Sequence, residues 1–496
     1  MVRFPGKPEH EEGKAWPAIL IGMFVAFGGV LFGYDTGTIS GIQAMEYWQT
    51  LFSTGYVNSK GHLDVSPSQS SAVVSILSAG TFFGALSSPM FADTIGRRYA
   101  LIFSCMVFNL GVILQTAATA LPLFLAGRFF AGLGVGLLSA VVPLYQSETA
   151  PKWIRGAIVG AYQLAITIGL LLAAIVDYAT QDRQDTGSYR IPIAVQFAWA
   201  IILIGGMLVL PETPRFLVKK GKYERAVRSL CKLRRLTPES ASIQAELEEI
   251  RANHEFEMTL GKASYIDCFR GAMLKRQLTG MGLQALQQLT GINFIFYYGT
   301  QYFKNSGISN AFTIQMITSC INVVSTLPGL WAVDRFGRRP LLLWGAVGMC
   351  VSQFLVAMLG TTTTSQDGAG NIIVHNVAAQ KAGIAFWLLN WAIAYATPYL
   401  VNYGPGYANL QSKIFFIWFG CCFICIAFVY FFIYETKGLS LEEVDELYAE
   451  VKLANKSAAW QPTSTFRQRK QSGAGGVGNE GVVGGEKIAH SHEDEV

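Results

Sequence analysis

Charge is what this sequence has least of. Only 14% of its 496 residues are charged, while 51% are hydrophobic; soluble domains carry roughly 25% charged residues. That balance excludes an ordinary water-soluble globule and points to a bilayer. Cysteine is also sparse, at eight residues. Cys105, Cys320, Cys350, Cys421, Cys422 and Cys425 fall inside apolar runs and read as small apolar side chains, not as a disulfide framework. The glycine-rich GLGVG at 132–136 is flanked by apolar helix, with no strand and phosphate loop around it. With no metal-ligand spacing and no nucleophile triad either, the sequence suggests no cofactor, no metal, no enzyme and no nucleic-acid partner.

What is present is a series of long apolar runs. A hydrocarbon core of ~30 Å needs about 20 helical residues to cross it, and runs of that order recur between short polar connections. Spans are expected near 16–40, 68–91, 99–121, 123–146, 156–177 and 191–210, then near 277–302, 310–332, 340–360, 382–403 and 412–434. The first is not a cleaved signal, because Gly33, Tyr34 and Asp35 continue its helix. The fold class is therefore all-α and polytopic, with six spans followed by about five. The expected divisions are a cytoplasmic N-terminus at 1–15, a bundle at 16–210, a linker with short helices at 211–276, a second bundle at 277–434 and a largely disordered tail at 435–496.

Lys and Arg set the orientation, since positive charge beside span ends stays cytoplasmic. Arg3, Lys7 and Lys14 precede the first span, Arg97 and Arg98 follow the second, and Lys152 and Arg155 follow the fourth. Arg335, Arg338 and Arg339 follow the eighth. Alternate connections carry the charge, which places the N-terminus inside.

Two of these cytoplasmic turns are the same turn. Residues 93–98 read DTIGRR and residues 334–339 read DRFGRR. Each follows the second span of its half, where Asp and Arg can pair with each other and with carbonyls at helix ends. The halves also end alike, at PETPRF (211–216) and YETKG (434–438). Matched order in two halves describes a duplicated bundle with a site between the copies.

Asp35 is the only acid in the first span and Arg128 a cation in the fourth, both expensive at that depth without water or a partner. Gly29, Gly33, Gly37 and Gly41 form a stripe on the first helix roughly opposite Asp35. The stripe lets a neighbouring helix approach closely, with Asp35 expected to face a central cavity. In the seventh span Gln284, Gln287, Gln288 and Gly291 share one face; amides of this kind suit a sugar's hydroxyls, or bond helix to helix.

GYDTG (33–37), DTIGRR, GRFFAGLGVG (127–136), PLYQSETAPKWIRG (143–156), PETPRFL (211–217), QQLTGIN (287–293), DRFGRR and ETKG (435–438) occur in order over nearly the whole membrane region. The sequence resembles the sugar porters of the major facilitator superfamily, and most of all fungal proton-coupled hexose transporters. The resemblance implies a major facilitator fold of two pseudo-symmetric bundles and monosaccharide transport, with glucose as the substrate, by proton symport and alternating access in the plasma membrane. It implies that Asp35 takes up the proton and Arg128 modulates it; a purely structural ion pair is the alternative. It carries sugar contacts onto Gln163, Gln287, Gln288, Asn293 and Asn322. It also implies a cytoplasmic charge network that opens and closes with transport, formed by Asp93, Arg97, Arg98, Glu148, Arg155, Glu212, Arg215, Asp334, Arg338 and Glu435. The plain alternative for these is a solvated topogenic role.

A count of the halves disagrees with the duplication. Four spans lie between Asp93 and Pro211 but three between Asp334 and Tyr434, and AGIAFWLLNWAIAYATPYLVN (382–402) reads as the start of the family's tenth helix joined to its eleventh. One helix is expected to be missing. Eleven crossings would put the C-terminus outside, yet Lys437, Lys452, Lys456, Arg467, Arg469 and Lys470 favour the inside. A sugar sensor that signals without transporting, and an inactive product lacking the helix, are the rival readings.

Overall fold

A computed structural model describes residues 14, 16–57, 63–151, 155–259, 271–289, 298–300, 310–366, 372–374, 414–436, 447, 448, 450, 451 and 454–460. The first span is two helices, α1 (Trp16–Ala26) and α2 (Gly28–Ala44), separated at Phe27. A short α3 (Glu46–Phe52) follows, and then α4 (Pro67–Ile95), α5 (Arg97–Ala117), α6 (Leu121–Thr149), α7 (Arg155–Thr180) and α8 (Gly187–Val209). These are the six expected spans of the first half, each long and apolar enough to cross a bilayer. The start of α4 shows why the boundaries fall where they do. Ser66 accepts from the Gln69 N–H, Gln69 reaches back to the Ser66 N–H, and Pro67 needs no donor partner in the first turn.

Below the bundle, α9 (Pro214–Lys219), α10 (Tyr223–Arg234) and α11 (Ala241–Thr259) bury Leu217, Val218, Ala226, Leu230, Ile243 and Leu247 against one another. Arg234 ties this layer together through Glu246 at 2.8 Å and ties it to α6 through the Thr149 carbonyl.

The second half contributes α12 (Gly271–Leu289), α13 (Ala311–Phe336), α14 (Arg338–Thr363), a small antiparallel hairpin of β1 (Thr364–Gln366) and β2 (Ile372–Val374), and α15 (Ile414–Phe432). α14 and α15 pack antiparallel. Phe354 on α14 meets Phe416 and Phe419 near the start of α15, whereas Arg339 at the start of α14 donates to the Tyr430 carbonyl near its end. α13 packs on α7 and joins the halves. The span expected at 382–403, and with it the question of the missing helix, lies outside the described residues.

Packing inside the bundle follows the chemistry of lipid, where apolar contact gives helices little reason to associate and close approach of small residues takes over. Phe82, Phe83, Leu86, Met90, Ile113, Ile201 and Val209 stay exposed on the outer surface, as a lipid-facing band requires. The Gly29, Gly33, Gly37 and Gly41 stripe does allow a close neighbour, and that neighbour is α7. A Cβ at Gly33 would stand 2.0 Å from the Ile166 carbonyl oxygen, and one at Gly37 would stand 2.9 Å from Ala173 Cβ. Gly169 returns the contact from α7, facing the Val30 carbonyl and the Tyr34 N–H.

The segment 454–460 lies beside the DRFGRR turn. Arg339 donates to the Asn455 side chain, and Ser457 Oγ accepts the Glu435 N–H at 2.8 Å. The structure thus sides with charge over crossing number, placing this part of the tail at the same end as Arg338 and Arg339.

Candidate functional site

On α2, the glycines occupy the face toward α7 and Asp35 the opposite one. Arg128 reaches it from α6, with Nη1 3.0 Å from Oδ1 and both side chains almost wholly buried. Arg128 Nε also donates to the Val73 carbonyl of α4 at 3.4 Å, while its Nη2 lacks a partner. Gln196 of α8 lies beside the same carboxylate. The expectation of an open cavity beside Asp35 is corrected here: at 1% exposure the acid is enclosed, because Arg128 fills the space in front of it. Desolvating two charges costs several kcal/mol each, so the pair holds only while both partners are charged. Adding a proton to Asp35 removes the attraction and frees Arg128.

The repeated turns are one device built twice. Gly96, at φ 97°, ends α4 and starts α5; Gly337, at φ 94°, does the same between α13 and α14. The freed N–H groups at each new helix start bind an acid from the end of that half. Glu212 accepts from the Arg97 N–H at 3.1 Å and the Arg98 N–H at 3.1 Å, and Glu435 accepts from the Arg338 N–H and Arg339 N–H at 3.1 Å each. An anion at a helix N-terminus is favoured by unpaired donors and by the helix dipole. The second arginine of each turn then caps the helix that precedes its acid: Arg98 donates to the Met207 and Leu208 carbonyls, and Arg339 to that of Tyr430.

In the first half Arg97 donates from Nε and Nη2 to one Glu148 oxygen, Oε1, at 3.2 and 2.9 Å, and pairs with Asp93 at 3.1 Å. Lys219 of α9 takes the other Asp93 oxygen at 2.8 Å. Burial pushes the Glu212 carboxyl above the usual range, with the Thr213 and Arg98 N–H groups pulling it back. These contacts stay within one half. Arg215 is exposed on α9, and the side chains of Arg155 and Asp334 lie outside the described residues.

Of the five amides assigned to sugar, Gln163 is exposed on α7, in line with Thr167, Leu170 and Ala174, which are buried further along the same face. That alignment turns it toward protein rather than lipid. Gln287 and Gln288 are exposed at the end of α12, and Asn322 is half-buried on α13. Asn293 lies outside the described residues. At the end of the bundle away from the two DxxGRR turns, two contacts cross between halves: Ser40 Oγ lies 3.2 Å from Thr300 Oγ1, and the Tyr298 hydroxyl donates to the Ser70 carbonyl at 3.5 Å.

Sequence reasoning missed Gln196, Lys219 and Asp177. Gln196 and Asp177 are polar residues in otherwise apolar runs, which is a readable signal. Lys219 is one of many lysines in a basic linker, and nothing in its pattern singles it out.

Residues 21–379 and 374–448 match the family described as sugar (and other) transporter. The chain belongs to the sugar transporter family. This sugar transporter is 64% identical over 506 aligned residues to the major facilitator-type transporter ecdD of Aspergillus rugulosus, covering 94% of each chain. It is 42% identical over 505 residues to the probable glucose transporter rco-3 of Neurospora crassa, covering 94% of this chain and 85% of that one. Its fold matches the proton:xylose symporter XylE bound to 6-bromo-6-deoxy-D-glucose, with a TM-score of 0.68 and 23% identity over 88% of this chain and all of that one. It is a multi-pass membrane protein of the major facilitator superfamily.

Proposed function

We propose that this sugar transporter carries a hexose, glucose foremost, across the plasma membrane by alternating access, and that a proton moves with it. The observation that carries the reading is the enclosed Asp35–Arg128 pair. An intramembrane acid paired with one cation converts a proton into a release of that cation. The sugar sits between the halves against Gln163, Gln287, Gln288, Asn293 and Asn322. The Glu212 and Glu435 turns, with Asp93, Arg97, Arg98, Glu148, Arg155, Arg215, Asp334 and Arg338, form the cytoplasmic layer that rearranges as the halves rock. Membership of the family and the names of the fungal relatives support a hexose.

The chain does this with one helix fewer than its family. Two features support that reading. The family match comes in two pieces that meet at 374–379, and the alignment to ecdD is longer than the stretch of this chain it covers.

Uptake of labelled glucose, with and without an imposed proton gradient, in yeast lacking its own hexose carriers tests both statements, with surface staining to confirm delivery. Gradient-dependent uptake is the expected result. Surface protein without uptake would overturn transport by this form, and reinsertion of the tenth helix would then separate a broken transporter, which recovers uptake, from a sensor, which does not.

A further inference from the structure

Asp35 is not the only acid enclosed in the first bundle. Asp177, one turn from the outer end of α7, is 2% exposed; its Oδ1 is buried with no hydrogen-bond partner, and no cation pairs with it among the described residues. The glycine stripe of α2 holds it there. A Cβ at Gly41 would stand 2.2 Å from Asp177 Oδ2, so the last glycine of the stripe opens the space that the carboxyl fills. Gly41 lies six residues beyond Asp35, about 9 Å further along the helix toward the outer face.

Among the described residues, the surroundings give a negative charge nothing to lean on. From α2, the Tyr34 phenol is near enough to feel Asp177, but it donates to the Pro192 carbonyl at 3.1 Å. Asp35 on the same helix and Arg128 on α6 are engaged with each other. On α8, Arg190 donates to the Tyr189 hydroxyl at 3.2 Å. α1 and residues 311–333 of α13 hold no acidic or basic side chain. A carboxylate enclosed without a cation in a bilayer is unfavourable enough to take up a proton instead.

We infer that Asp177 is a second proton site of this transporter, protonated where the outer ends of α2 and α7 are closed on each other and titrating with the extracellular solution when they part. The proton comes from water at the outer mouth, forms the O–H bond of the carboxyl, and leaves to that water or toward Asp35 when the contact opens. For its part in transport the inference rests on the proton-coupled reading; the protonation itself does not.

Infrared spectroscopy on the purified full chain in lipid, across neutral pH and with deuterium exchange, tests the protonation. A protonated-carboxyl carbonyl band is expected at neutral pH in the native protein and in Asp35→Asn, and is expected to be lost in Asp177→Asn. Absence of the band from the native protein, or its survival in Asp177→Asn, overturns the assignment. The first of these needs no variant to fold. Uptake against external pH tests the role: Asp177→Asn should shift the pH of half-maximal uptake, and a profile superimposed on the native one overturns it. If native uptake ignores the proton gradient altogether, symport itself has failed, and the infrared result still decides whether Asp177 holds a proton.

Discussion

Asp35 and Arg128 share one contact, and a substitution at either breaks it. Asp35→Asn removes a charge but keeps the shape, leaving Arg128 with a neutral acceptor; it should reach the membrane and lose gradient-driven uptake. Retained gradient dependence would count against Asp35 as the coupling residue. Breaking a buried ion pair from either side costs about 3–5 kcal/mol, so Arg128→Ala should also lower the thermal unfolding midpoint in detergent. At the DTIGRR turn two of the acids that meet Arg97, Glu212 and Glu148, should also behave differently. Burial raises the Glu212 carboxyl, so its contribution to stability is present below its unfolded pKa and is lost as pH rises through the folded value. Glu212→Gln keeps the side chain's shape and an acceptor oxygen for the Arg97 and Arg98 N–H groups, so it should be the milder change. Glu148→Gln, by contrast, takes the carboxylate away from the buried Arg97 guanidinium and should be the more damaging by about 1–3 kcal/mol. Equal unfolding midpoints for the two would refute this ordering.

Two helix pairs depend on glycine in different ways. Gly33 and Gly37 keep α2 against α7 by absence of side chain, so Gly33→Leu must drive the helices apart. Gly96 and Gly337 serve by backbone conformation, in a region that L residues rarely enter. At Gly96 a Cβ would also stand 2.4 Å from Glu212 Oε2, and at Gly337 2.6 Å from Glu435 Oε2. Gly96→Ala and Gly337→Ala should each lose the acid from the helix N-terminus and destabilise their own half by about 1–2 kcal/mol or more. Limited proteolysis at the affected turn would report the loosening, and unchanged cleavage of both variants would refute the shared device.

Across the whole molecule, the orientation of the tail is the feature with a direct readout. Asn455-Lys456-Ser457 has the form of a glycosylation sequon, but Asn455 and Ser457 are engaged at the DRFGRR turn. Endoglycosidase should leave the mobility of the protein unchanged, whereas an acceptor engineered between α3 and α4 should shift it. A shift of the native protein would place the tail outside and contradict the packing of α15 against α14.

The cost of placing a residue in hydrocarbon is nearly local and sums along the chain. The six spans of the first half, and the identity of Asp35 and Arg128 as costly residues, were therefore legible without coordinates. The repeat of DxxGRR was legible for a related reason: a helix start needs its glycine and arginines at fixed spacing. Partnership is not local. That α7 is the neighbour of the glycine stripe, that Glu212 and Glu435 fill the two helix N-termini, and that Asp177 sits in the space left by Gly41 all depend on segments from tens to over a hundred residues apart being brought together. Only the tertiary structure decided these, because backbones approach that closely only where two distant small-residue surfaces fit.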